Sequence, residues 1–298
     1  MKIRQNLHIH SAHSCDSACA TLADIQNEML KYGMTEFGIS DHFHSQYNLC
    51  DIVGARNDFL AYERPPQFHF GVEVSCMSKW ECQRIAEGRY ERIIDDPVYG
   101  LRYQKIDENA DLSPCIDLTK EDIERLNIEY VIAGVHWPSN SELDHDALIE
   151  DIYQQHLYLA SEPLVDIIAH PWDCLEIMCV WKDWCGLTGK GRFNRAVADN
   201  SVFNNLKEKN EKLLELILKN KKLVELNLAV LSGPQDPSVL KAMWTFLAEW
   251  REAGAKFVIG SDQHSAHANP ELYRAMEQLL DCYGFKDEHI HYLFADKN

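Results

Sequence analysis

Histidines and carboxylates fall at one recurring place in this 298-residue chain, immediately after short apolar runs. NLHIHSAHSCD carries His8 and His10, two residues apart, so that in an extended chain both point to the same side. GISDHFH carries Asp41 and His42, FGVEVS carries Glu73, IAGVHWP carries His136 and IIAHPWD carries His170. FVIGSDQHS presents Asp262 and His264, again two apart, whereas VELNL offers Asn227, which would contact a substrate or cap a turn. Neutral imidazoles and carboxylates are donors for borderline divalent ions such as zinc, manganese or ferrous iron. Any one of these histidines taken alone reads more simply as a satisfied core or surface residue. Two paired sets together with single ligand-type residues after three further runs point to a shared metal centre.

Those residues need elements that bring them together. Residues 3–9, 36–40, 68–74, 130–135, 164–169, 223–228 and 256–261 read as strands, and 21–33, 144–160, 203–220, 238–253 and 270–283 show helical spacing of apolar residues. Such β-α alternation gives parallel strands under covering helices, in an open doubly wound sheet or a closed barrel. No G-x-G-x-x-G follows the first strand. In a parallel barrel the strand ends meet at one rim, where active sites form, so the side chains above would converge there. Residues 86–125 and 171–200 break the rhythm and read as insertions, the second lying over that rim. With no internal repeat or linker, the expectation is one elaborated domain over residues 1–298.

The 29 basic and 47 acidic side chains leave a formal charge of −18, which disfavours binding along nucleic acid, whose phosphates need clustered Lys and Arg. With 46% apolar and 26% charged residues, the composition is that of a globular chain and excludes wholesale disorder. No stretch has the length and apolarity of a membrane span, and MKIRQNLHIHSAHS lacks the apolar core of a signal peptide, so a cytoplasmic protein is expected. The ten cysteines include no C-x-x-C pair and read as reduced, mostly structural thiols.

H-x-H at 8–10, G-I-S-D-H at 38–42, Glu73, G-V-H at 134–136, A-H-P at 169–171 and G-S-D-Q-H at 260–264 form an ordered set. In that set the chain resembles the PHP (polymerase and histidinol phosphatase) family over nearly its whole length. The resemblance implies an α/β fold, a distorted (β/α)7 barrel with its active site at the C-terminal ends of the strands, holding two or three divalent ions. It further implies that His8, His10, Glu73 and Asp262 hold one ion, that Glu73 bridges to a second held by His136 and His170, and that His42 and His264 hold a third. The remaining family ligand falls on Asp16, with His13 as the alternative because spacing in this turn varies.

Such a centre supports phosphate-ester hydrolysis without a protein nucleophile, by attack of a metal-bridged hydroxide on phosphorus with Glu73, Asp262 and His264 at the reacting centre. Lys182, Lys190, Arg192 and Arg195 form a basic run after His170. Arg192 and Arg195 are candidate substrate clamps, since a planar guanidinium suits phosphate oxygens, although a solvated loop is the simpler reading. Trp137, Trp172, Trp181 and Trp184 lie in the same region and would stack on a substrate ring or pack the loops. Asp41 would orient an imidazole or satisfy a turn amide. The leading expectation is a phosphatase acting on a small phosphomonoester of the histidinol-phosphate kind. The alternatives are an exonuclease or nucleotide phosphodiesterase using the same centre, and a non-catalytic metal-binding module. Oligomeric state is not legible.

Overall fold

The computed structural model describes residues 1–16, 18–89, 106–139, 145–173, 200–232 and 237–295. Seven parallel strands, β1 (Gln5–Asn6), β2 (Glu36–Phe43), β3 (Phe68–Ser75), β4 (Tyr130–Gly134), β5 (Ile167–Ile168), β6 (Leu223–Asn227) and β7 (Lys256–Gly260), pair in chain order. The register runs through Phe37 opposite Phe68, Glu73 opposite Ile132, Ile167 opposite Leu223 and Val224 opposite Phe257. The Leu7 amide donates to Ile259 O at 2.9 Å, and Ile9 bridges to Gln263, so the first and last strands meet. The sheet is a nearly closed barrel of the (β/α)7 type, and the choice left open between open sheet and barrel falls to the barrel.

Strands covered on both faces bury nearly all their residues, and every residue of β2 and β3 is buried, polar ones included. Alternation along β3 marks out the barrel interior. At the bottom, His69 stacks on Phe294, with centroids 3.6 Å apart. The Leu293 and Phe294 amides donate to the Glu36 carboxylate at 3.1 and 2.9 Å, so the C-terminal segment plugs the barrel floor. One layer higher, Tyr130 shares its hydroxyl proton between Leu7 O at 2.8 Å and Ile39 O at 3.0 Å. Gly71 is required beside it, because a Cβ there would lie 2.3 Å from the Tyr130 ring. Tyr130 clusters with Leu7, Ile132, Ile167, Ala169, Leu223 and Val258, an apolar plug beneath the next inward pair, Glu73 and Ser75.

Outside the barrel lie helices α1 (Leu22–Lys31), α2 (Leu49–Ala61), α3 (Lys79–Ala86), α4 (Lys120–Leu126), α5 (His145–Ser161), α6 (Asn200–Asn220), α7 (Leu228–Ser232), α8 (Pro237–Glu252) and α9 (Pro270–Cys282); all but α3 contribute to the larger core, and α3 packs Trp80 and Ile85 with Met77 and Trp137 in a separate cluster. Reciprocal capping boxes start α1 at Thr21 with Asp24 and α4 at Thr119 with Asp122, satisfying amide donors that the first turn leaves free. Helix α2 was not expected. It buries Ile52, Ala55, Arg56 and Phe59, and the Arg56 guanidinium lies 4.9 Å from the Phe70 ring centroid, so a charged residue occupies its inner face. Of the segment expected as an insertion over 86–125, the described part contains α4 and a short strand, Pro114–Cys115, antiparallel to Met77–Ser78. Residues 174–199 of the other segment lie outside the described residues. Among the described residues no helix is long and apolar enough to cross a membrane.

Candidate metal centre

Above the apolar plug, Glu73 is fully buried at the centre of a ring of imidazoles. Its Oε1 lies 3.0 Å from His136 Nε2 and 3.1 Å from His170 Nε2, while its Oε2 lies 3.1 Å from His8 Nε2, 3.5 Å from His10 Nε2 and 2.8 Å from His42 Nδ1. On the barrel's closing side, Asp262 Oδ1 is 3.2 Å from His10 Nε2 and 3.6 Å from His8 Nε2. Toward the mouth, Asp16 Oδ2 contacts His264 Nε2 and lies 3.2 Å from His42 Nε2. Three sets result whose potential ligand atoms lie within 4.8 Å of one another: His8, His10 and Asp262; His42, Glu73 and His136; and His10, Asp16, His42 and His264.

The backbone accounts for much of this. The Ser261 and Asp262 amides both donate to His8 O, at 3.3 and 2.9 Å, a two-against-one arrangement resembling a β-bulge, and bulges re-aim side chains. Asp262 sits there at φ 56°, and His170, after another strand, at φ 23°, both sparsely populated regions for side chains other than glycine. Gly134 leaves room for the His170 ring, since a Cβ there would come within 2.7 Å of its Cε1.

Hydrogen bonds from behind fix the rings. His8 Nδ1–H donates to Glu225 Oε1 at 2.7 Å, and His264 Nδ1–H donates to Asp262 O at 2.9 Å. His136 Nδ1 lies 2.9 Å from Ser75 Oγ, which is 2.7 Å from His44 Nδ1, and His10 Nδ1 lies 3.2 Å from Ser14 Oγ. Each partner leaves the opposite nitrogen facing the cluster, the usual support for a metal-binding imidazole.

Protons alone satisfy the cluster unevenly. Burial would raise the Glu73 carboxyl, but His8, His42 and His136 hold it well below the usual range. Burial is likewise outweighed at Asp16, kept low by its bonds to His264 and His42, and at Asp262, kept low by His8 and His10. Burial would lower His8, His42 and His170, yet Glu73 and neighbouring carboxylates push His8 well up, His42 to about 10 and His170 to about 9. Burial prevails at His10, which falls to about 4 with help from His42, and at His136, which also falls. Glu73 Oε2, close to three imidazole nitrogens, makes a hydrogen bond with none of them. A buried acceptor left in this way among nitrogen donors fits a site for cations rather than a proton network.

The structure brings His8, His10, Asp16, His42, Glu73, His136, His170, Asp262 and His264 to one rim. Asp16 faces the cluster, whereas His13 Nε2 is taken by Asp58 at 2.8 Å. Asp41 accepts from the Ser11 amide at 2.5 Å and from its hydroxyl at 2.7 Å, which is the turn-holding role. Asn227 is fully buried; its Oδ1 accepts from the Val230 amide at 3.1 Å, and its Nδ2 faces Glu225 Oε2 at 3.2 Å and Asp262 Oδ2 at 3.4 Å. Trp172 packs inward, stacked on His156 and bonded through Nε1 to Asn210 Oδ1 at 3.0 Å. Arg192 and Arg195, with Lys182, Lys190, Trp181 and Trp184, lie outside the described residues. Glu225 escaped the sequence reading, which took only Asn227 from VELNL. The available signal was a carboxylate two residues before Asn227, hence on the same side of a fully buried strand.

A PHP domain family model matches residues 6–229. A search of curated proteins gives no match. Among solved structures, the chain is similar to a histidinol phosphate phosphatase from Lactococcus lactis subsp. lactis complexed with zinc, L-histidinol and phosphate. The identity is 14% and the TM-score 0.57, covering 95% of this chain and 94% of that one. A candidate histidinol phosphatase from Listeria monocytogenes aligns at 12% identity and a TM-score of 0.49, covering 88% of this chain and 96% of that one.

Proposed function

This chain belongs to the PHP domain family, and from that membership we propose that it is a metal-dependent phosphoesterase hydrolysing a small phosphomonoester of the histidinol-phosphate kind. The observation that carries this reading is the division of Glu73, one oxygen toward His136 and His170 and the other toward His8, His10 and His42. A buried carboxylate so divided suits two adjacent cations. In this reading His8, His10, Glu73 and Asp262 hold one ion, His136 and His170 share Glu73 around a second, and Asp16, His42 and His264 hold a third. Bound zinc, manganese or iron would supply Lewis-acid neutralisation of phosphate charge and water of lowered pKa.

The chain's own residues prepare the pocket. The barrel floor excludes water beneath Glu73, while His264 and Asp16 are the more exposed members of the set, with side chains 37% and 23% exposed, and mark the side from which a phosphate enters. Asn227 acts on the substrate indirectly, by steadying Asp262. Arg192 and Arg195, on the long segment after His170, hold the substrate's phosphate or its non-transferred part. The proposed setting is the cytoplasm and the partner a small phosphorylated metabolite. The Lactococcus lactis protein's ligands make histidinol phosphate the first ester to test.

The purified chain is assayed for phosphate release from p-nitrophenyl phosphate, histidinol phosphate and a panel of phosphorylated metabolites, with metal content measured on the same sample. Release abolished by EDTA and restored by zinc or manganese is expected. Two or more bound ions with no release from any monoester would overturn the proposal, and turnover confined to bis-(p-nitrophenyl) phosphate would make it a diesterase.

A further inference from the structure

We propose that Glu225 is a positioning residue that ties neighbouring parts of the cluster together, one carboxylate fixing the His8 ring for one ion and the His170 backbone for the next. This rests on the metal-dependent reading above. Glu225 is 1% exposed, and three donors converge on it: His8 Nδ1–H on Oε1 at 2.7 Å, and the His170 amide at 2.7 Å with Asn227 Nδ2 at 3.2 Å on Oε2. An ionised carboxylate is purely an acceptor and can take all three. A carboxamide has one acceptor oxygen, and its NH2 would face either the ring N–H or the amide N–H.

The consequence differs at the two ends. At His8, donation from Nδ1 leaves the Nε2 lone pair aimed at the cluster, 3.1 Å from Glu73 Oε2. At His170, the bond holds the amide of a residue at φ 23°, and that backbone sets the ring whose Nε2 lies 3.1 Å from Glu73 Oε1. Glu73 therefore joins the two histidines from inside the cluster and Glu225 joins them from behind. Gly260 on β7 leaves the space that the carboxylate fills, since a Cβ there would lie 2.0 Å from Glu225 Oε1.

The test measures Zn2+ binding by chelator competition to metal-stripped, full-length wild type, Glu225→Gln and a control, Glu129→Gln. Glu129 accepts from the Phe70 amide and His69 at the other end of the barrel. Glu225→Gln should weaken Zn2+ binding at two sites by about 10- to 100-fold, while Glu129→Gln keeps wild-type affinity. Unchanged affinity in Glu225→Gln, or equal weakening in both variants, would overturn the proposal. Histidine 15N spectra of the Zn2+-loaded wild type give a readout that does not depend on either variant folding. His8 with a protonated Nδ1 and a metal-shifted Nε2 supports the proposal, and coordination through Nδ1 refutes it. Wild-type protein that takes up no Zn2+ would overturn the metal-dependent reading itself, a separate result.

Discussion

Gly260→Ala places a methyl group where two buried groups of the centre already stand. Its Cβ would lie 2.0 Å from Glu225 Oε1 and 2.5 Å from the His8 Cβ, and since real Cβ contacts essentially never fall under 3.0 Å, the carboxylate must retreat by at least about 1 Å. That movement breaks or stretches the bonds to His8 and to the His170 amide, both 2.7 Å. Overpacking a dense interior costs about 1–3 kcal/mol, and losing a hydrogen bond to a buried charge costs about 1.5–3 kcal/mol. The expected loss is therefore about 3–5 kcal/mol, or about 5–8 °C in melting temperature for a chain of this size. Zn2+ affinity should fall about tenfold or more because His8 moves with the carboxylate. The matched control is Gly254→Ala, at φ +95° with nothing within 4 Å of the added carbon. It carries only backbone strain, about 1–2 kcal/mol, and should bind Zn2+ as wild type does. Differential scanning fluorimetry and chelator competition on both variants decide the matter. A Gly260→Ala protein that melts within 2 °C of wild type, with unchanged Zn2+ affinity, would refute the crowding argument.

Three further outcomes are expected. Glu73→Gln removes the carboxylate facing five imidazoles and should reduce tightly bound metal to one ion or fewer per chain, with activity down at least about 1,000-fold, as read by elemental mass spectrometry and phosphate release. Replacing Arg192 and Arg195 together by Ala should raise KM about tenfold or more, since bidentate phosphate contacts are among the stronger hydrogen bonds; an unchanged KM would remove the clamp. Burial holds His156 neutral down to about 4, so the unfolded chain takes up a proton near 6.5 that the folded one does not, and stability is lost as pH falls through that window. Between pH 7 and pH 5 this amounts to about 2 kcal/mol, which His156→Asn should lack in urea titrations; parallel pH dependence in both proteins would contradict it.

The barrel and most of its rim were legible because parallel strands bury both faces and end where ligand-type residues begin, as GVEVS and IAGVH do. Regular alternation fails where the backbone is irregular. The strand spanning residues 3–9 in the sequence reading is ladder-paired only at Gln5–Asn6 before the bulge-like turn against Asp262. The resemblance favoured Asp16 over His13 in SAHSCD, and the tertiary contact with Asp58 on α2 that withdraws the histidine was not legible there. Helix α2 was obscured by Gly54 and by Arg56, whose buried charge disguises the apolar face. Glu225 was passed over because a lone acid within an apolar strand reads as noise until its donors, 55 and 217 residues away in sequence, are placed beside it.

The seam between β1 and β7 has a consequence for biosynthesis. His10 leaves the ribosome 252 residues ahead of its neighbour Asp262, with His264 just behind, and Phe294 caps the barrel floor later still. A nascent chain must therefore carry unpaired imidazoles and an open strand edge throughout that interval, and a complete ion-binding pocket can arise only once β7 has emerged and docked.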